Sequence, residues 1–235
     1  MARKASNSMS SRLTRFETIA GWLYLPFYLI ILNLLLQLAN EKLSLGMSAL
    51  TINIAYFVIN LAATLLIFHG FLRQAYFGGS FWNFVQALIL GFVLYYAGTW
   101  VLQFALTKLA PGFTIYNNET VGALISDNEY IMMAVTIILA PVIEETLVRG
   151  LVFGSIRPTS RVMAYIVSVV LFTLMHNWQY FLLYPAGKVL LSCIPYRPAS
   201  VALAWTYEKA GTIWAPITLH ALINALSFGL LQLNF

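Results

Sequence analysis

Charge is scarce in this chain. Only 9% of its 235 residues are Asp, Glu, Lys or Arg, against about 25% in a soluble globular domain, which excludes an ordinary water-soluble fold. The single cysteine, Cys193, excludes an internal disulfide and a cysteine-based zinc cluster; its expected state is a buried, unreactive thiol. No internal repeat, low-complexity tract or linker to a second domain is visible. The net charge of +5 comes from scattered residues that form no patch, so nucleic acid is not an expected partner. What remains is apolar: 60% of the residues are hydrophobic and the mean hydropathy is +0.80.

These bounds leave an all-α fold, a polytopic membrane helical bundle whose partner is the lipid bilayer. A spanning helix needs about 20 mostly apolar residues. The segments Ile19–Ala39, Ala49–Leu72, Phe81–Leu106, Ile131–Ile156, Val162–His176 and about 213–233 qualify or nearly do. The first, preceded by Arg3, Lys4, Arg12 and Arg15, is about twice a signal-peptide core, with no small-x-small site before Asn40. It reads as an uncleaved helix. Between 178 and 209, Pro185, Gly187, Pro195 and Pro198 interrupt the pattern. That region holds either two short helices, about 179–194 and 198–209, or one kinked helix with a re-entrant part. The total is seven or eight helices, with eight favoured. Residues 111–130 read as the one substantial polar loop.

Basic residues before the first helix and at Arg157 and Arg161, set against Glu119, Asp127 and Glu129 in the loop, place residues 1–18 in the cytoplasm as a tail. Residues 19–235 then form a single transmembrane domain. The short chain without further domains suggests a bacterial plasma membrane. Oligomeric state is not legible.

Within the apolar run 131–156 stands Glu144-Glu145-Thr146-Leu147-Val148-Arg149. Charges at membrane depth cost several kcal/mol and usually face a polar cavity with a function. Glu145 and Arg149 are i,i+4 neighbours, the spacing of an intrahelical ion pair. Glu144 is turned about 100° away and has Leu147 and Val148 as its local neighbours. A carboxylate buried without a salt bridge holds a proton more readily, which suits a general base. Two readings stay open: Glu145–Arg149 structural with Glu144 chemical, or all three as one charge network holding helices together. His176 ends an apolar run with Phe172 one turn earlier, and His220 shares a helix face with Asn224. His69 lies outside these patterns and reads as structural or interfacial. Trp178 and Trp205 are the tryptophans that could line a cavity instead of a membrane interface.

Glu144-Glu145-x-x-x-Arg149, Phe172-x-x-x-His176 and His220-x-x-x-Asn224 resemble the successive motifs of the CPBP family, the CaaX-protease and bacteriocin-processing (Abi) intramembrane proteases. Tyr207 to Trp214 is similar to that family's hairpin, with Ala210 and Thr212 where Thr and Ser are common. Each motif alone occurs by chance; three in order on separate membrane helices are specific. The resemblance covers about 130–235, the expected catalytic core, and the first three helices rest on hydrophobicity alone. It implies an intramembrane endopeptidase acting on a peptide or membrane-protein substrate. Glu144 would activate water, His176 would hold or polarise it, and His220 and Asn224 would donate to the oxyanion. Glu145 and Arg149 would orient the base, and Phe172 would pack against the site. The family has been described both as metalloproteases and as metal-free glutamate proteases. Zinc held by Glu144, His176 and His220 therefore stays open, with the metal-free form and no cofactor favoured. CaaX-type processing, bacteriocin maturation and self-immunity are all compatible. The competing classes are a transporter with a buried Glu/His/Arg relay and a non-catalytic scaffold; against the former, no inverted repeat is evident.

Counting 1.5 Å per residue puts Glu144 at ~20 Å and His176 at ~22 Å from the Arg157–Arg161 turn. On this count, His220 and Asn224 share that layer if the last helix enters from the opposite face, which favours eight helices.

Overall fold

The computed structural model describes residues 12–110 and 112–232, and the first eleven residues of the expected tail lie outside the described part. Helix α1 (Arg15–Lys42) opens on a capping box in which Thr14 Oγ1 accepts the Glu17 N–H and Glu17 Oε2 accepts the Thr14 N–H. It is followed by α2 (Ala49–Phe77), α3 (Phe81–Leu109), α4 (Tyr116–Asp127) and α5 (Glu129–Ile156). Then come α6 (Arg161–Met175), a 3₁₀ turn (Trp178–Leu182), α7 (Ala186–Cys193), α8 (Tyr196–Ala210) and α9 (Trp214–Gln232). No strand occurs among the described residues.

Four helices, α1, α2, α3 and α5, are long and apolar enough to cross a bilayer. Large apolar side chains such as Leu23, Leu66 and Val93 face outward from the first three, as lipid contact requires. α5 differs. Of its most apolar window 56% is buried, against 11% for α2 and for α3, so the helix carrying the charged hexapeptide is the axis of the bundle.

Polar contacts identify one end. Glu17 at the start of α1 accepts the Phe71 N–H near the end of α2 at 2.7 Å. That amide lies just past Phe68, whose non-helical φ/ψ (−106°, 16°) interrupts the helical ladder. In the turn between α8 and α9, Thr212 Oγ1 donates to Ala75 O and Trp214 Nε1 to Leu72 O. Arg157 and Arg161, flanking the α5–α6 turn, both donate to Glu208 near the end of α8. The opposite end carries α4. Its Tyr116 stacks on Tyr184 at 4.0 Å, and its Leu124 packs with Met132 and Phe228.

Three expectations change here. The loop at 111–130 is largely helix α4, because Tyr116, Val121, Leu124 and Ile125 all find partners in the bundle. The two-helix reading of 178–209 holds, with Pro185 preceding α7 and Pro195 preceding α8, but the eight-helix total does not follow. α7 has 8 residues, about 12 Å at the helical rise, too short to cross. Among the described residues, α1, α2, α3, α5, α6, α8 and α9 pass between the ends. Finally, α9 starts at the Arg157 end, not the opposite one. The count by helical rise took all turns as level, whereas the turn before α9 lies inside the bundle, with Thr212, Ile213 and Ala215 buried, so His220 starts deeper from the same end. Cys193 is free and buried, as expected.

Candidate active site

Two widened turns shape α5. Residues Val135–Leu139 and Thr146–Phe153 form π-helical segments on either side of Ala140–Glu145. Such segments recur at functional sites because they re-aim side chains and release backbone groups. The Thr136 carbonyl, inside the first, accepts the Asn224 Nδ2–H at 2.7 Å.

The adjacent glutamates face different partners, as their angular offset on a helix requires. Glu145 and Arg149 are fully buried and paired at 2.9 Å (Oε1 to Nη1). Glu145 Oε1 also lies 2.8 Å from His220 Nδ1. Arg149 Nη2 donates to Ser200 O and Oγ, both at 3.0 Å, and its guanidinium sits 4.4 Å from the Phe172 ring centre. Phe172 in turn contacts both imidazoles, with centroids 4.7 Å from His176 and 5.6 Å from His220. One aromatic ring thus touches the guanidinium and both imidazoles, while His220 also reaches the ion pair directly through Glu145.

Glu144 faces the other way, into a cavity of about 790 Å³. Its Oε2 is buried and accepts no hydrogen bond. It lies 3.6 Å from His176 Nε2 and 3.9 Å from His220 Nε2. Each ring has its other nitrogen engaged, His176 Nδ1 with Phe172 O at 2.8 Å and His220 Nδ1 with Glu145. Both Nε2 atoms are therefore turned toward one carboxylate oxygen, at distances just beyond direct hydrogen bonding and suited to a bridging water.

Glu144, His176, His220 and Asn224 all line this cavity, with Phe172 beside them, while Glu145 and Arg149 lie behind its wall. His69 does not line it; it is exposed, with Nδ1 3.2 Å from Leu66 O. Trp178 lines the cavity, whereas Trp205 lies under Lys209 Nζ at 5.8 Å. Ser200 and the Glu145–His220 contact have no signature in the sequence.

A zinc site requires ligand atoms drawn close around bonds of about 2.0–2.1 Å. Among the described residues, no three His, Cys, Asp or Glu side chains stand at such spacing. The Glu144, His176 and His220 set has suitable chemistry, with Glu144 Oε2 3.6 and 3.9 Å from the two Nε2 atoms, slightly wider than a closed metal site.

The arrangement can hold a polar molecule between a free carboxylate oxygen and two imidazoles while keeping lipid out. Comparison with known proteins agrees with the motifs. Neither the curated proteins nor the solved structures gave a match. Residues 126–226, which contain all three motifs, match the family model described as Rce1-like, type II CAAX prenyl endopeptidase. By that match, and in keeping with the CPBP resemblance, this segment is similar to the Rce1-like family of membrane endopeptidases.

Proposed function

We propose that the chain is an intramembrane endopeptidase that hydrolyses a peptide bond with a water activated by Glu144. The observation that carries this reading is the convergence of both imidazole Nε2 atoms on one Glu144 oxygen inside a cavity that Asn224 also lines.

In the proposed cycle, water sits between Glu144 Oε2 and His176 Nε2. Its oxygen attacks the scissile carbonyl carbon as one proton passes to Glu144. The tetrahedral oxyanion accepts from the Asn224 N–H not committed to Thr136, and from His220 Nε2 when that ring carries both protons and Nδ1–H is held by Glu145. Collapse breaks the C–N bond, and Glu144 returns its proton to the departing amine nitrogen. Arg149, anchored by Ser200 and Phe172, fixes Glu145 and through it His220. The family name supports an endopeptidase reading, and the bilayer brings a membrane-associated polypeptide to the site.

The test is cleavage of a peptide library by detergent-purified protein, read by mass spectrometry. Glu144→Gln preserves shape and removes the base, so a folded protein with cleavage reduced about 100- to 10,000-fold is expected. Full activity in that variant sinks the assignment, and Glu144-independent behaviour throughout supports a scaffold or carrier.

A further inference from the structure

The cavity is asymmetric along the bundle axis. Its lining comes from the half of each helix nearer α4: residues 28–37 of α1, 49–57 of α2, 95–103 of α3, 132–144 of α5 and 220–228 of α9. Glu144, His176 and His220 form the floor. Gln37, Gln103 and Asn118, all exposed, form the rim. No lining residue comes from the end where Arg157 and Arg161 bind Glu208.

Charge orients that axis. Arg12, Arg15, Arg73, Arg157, Arg161 and Lys209 stand at the closed end, and Arg3 and Lys4 precede them in sequence; the open end carries Lys42, Lys108, Lys188 and Arg197. The excess of Lys and Arg at helix ends marks the cytoplasmic side, and acidic residues contribute little to this rule. The closed end is therefore cytoplasmic.

The lining adds a chemical constraint. Between rim and floor it presents carboxamides, including Asn33, Asn53, Asn117 and Gln179, together with tyrosines and aliphatic side chains. Apart from Glu144 and the two histidines, no ionisable acid or base of the Asp, Glu, Lys, Arg or His type among the described residues lines it. Carboxamides donate and accept, which matches an extended peptide backbone. A free C-terminal carboxylate would find no Lys or Arg among the described lining residues between rim and floor, and an unpaired buried charge is costly.

We infer that the cavity opens to the extracytoplasmic side and takes an uncharged, extended, internal peptide segment, as opposed to a C-terminal tail delivered from the cytoplasm. This inference rests on the hydrolase reading for its substrate half and on geometry and charge for its sidedness. The substrate must then be supplied by a reaction that exports or inserts a polypeptide.

Sidedness is tested with Asn118→Cys at the rim and Thr159→Cys at the closed end, each with Cys193→Ser, expressed in cells stripped of any wall or outer membrane. A membrane-impermeant maleimide is expected to label Asn118→Cys in sealed cells, and Thr159→Cys only after permeabilisation. The reverse pattern overturns the proposal while leaving cleavage in detergent intact. Substrate class is tested on the detergent-purified protein with a cleaved peptide in amidated and free-acid forms, and with Asp placed beside the scissile bond. The amide is expected to be cleaved as well as or better than the acid, and Asp to lower kcat/KM at least about 10-fold, the loss for an unpaired charge of 1.4 kcal/mol or more. A requirement for a free C-terminal carboxylate overturns the substrate half. Loss of all Glu144-dependent cleavage in detergent would instead strike the hydrolase reading, and the labelling pattern would still decide the cavity's side.

Discussion

Replacing Arg149 by Met is the most exacting perturbation of the site's frame. The substitution keeps an unbranched chain of similar reach and deletes the guanidinium. Lost with it are the 2.9 Å ion pair to Glu145, the two 3.0 Å hydrogen bonds to Ser200 and the stacking on Phe172. Glu145 is then left fully buried with His220 Nδ1 as its remaining close partner. Breaking one side of a buried pair costs about 3–5 kcal/mol, mostly because the other charge is stranded. Glu145→Gln strands Arg149 in the same way and should cost a similar amount. If the charges are stranded by one another's removal, the double variant costs no more than either single one. The coupling in the cycle is then about 3 kcal/mol. Reversible unfolding in mixed detergent–lipid micelles titrated with SDS, followed by far-UV circular dichroism, measures each corner. Additive losses, or an Arg149→Met cost below about 1 kcal/mol, well under the stranded-charge range, would refute the reasoning.

Two further perturbations probe close packing and the first helix, and another concerns cofactors. A Cβ on Gly91 would lie 2.0 Å from Thr206 Oγ1 and 2.9 Å from Leu219 Cδ2. Gly91→Ala should therefore cost about 1–3 kcal/mol through overpacking in the same unfolding assay, and a neutral result would show that α3 and α8 can move apart. Glu17→Ala removes the acceptor of the Phe71 amide and half of the capping box. A loss of about 1–3 kcal/mol is expected for the stranded N–H, and Glu17→Gln should recover part of it. Because the proposed cycle uses only Glu144, the two histidines and Asn224, peptide cleavage should persist in excess chelator. Abolition by chelator with recovery on added zinc would show that the three side chains close around a metal in the working enzyme.

The helical class, the long spans and the charged hexapeptide were legible because burying charge in lipid is so unfavourable that each exception stands out, whereas the grouping of His176 and His220 with Glu144 was implied by the motif resemblance. Glu145–Arg149 followed from spacing alone. Other parts left only faint marks. α4 was masked by Asn, Gly and Thr, although Tyr116, Thr120 and Leu124 recur at the helical interval and pack inward. The contribution of the first three helices to the cavity was readable in principle. Tyr95, Thr99 and Gln103 form a polar stripe at i, i+4, i+8, and Asn33 and Gln37 form another. What could not be read was the direction of α9, which depends on contacts such as Thr212 with Ala75. Nor could the sharing of one Glu145 oxygen between Arg149 and His220 be read, since it joins positions far apart in the chain.

The π-helical segment Val135–Leu139 makes the consequence of losing a residue depend on where it is lost. The widened turn takes up an extra residue with less twist per residue, so the stretch before it and the stretch carrying Glu144 keep their phase. Deleting one residue there would close the backbone to ordinary α-helix with Glu144 still aimed at the cavity, and the damage would fall on the Thr136 carbonyl that holds Asn224. The same deletion at 140–143, in the regular turn that follows, would swing Glu144 by about 100° relative to the helix before it. A one-codon deletion in that regular turn is equivalent to losing the base, with every side chain of the hexapeptide still present.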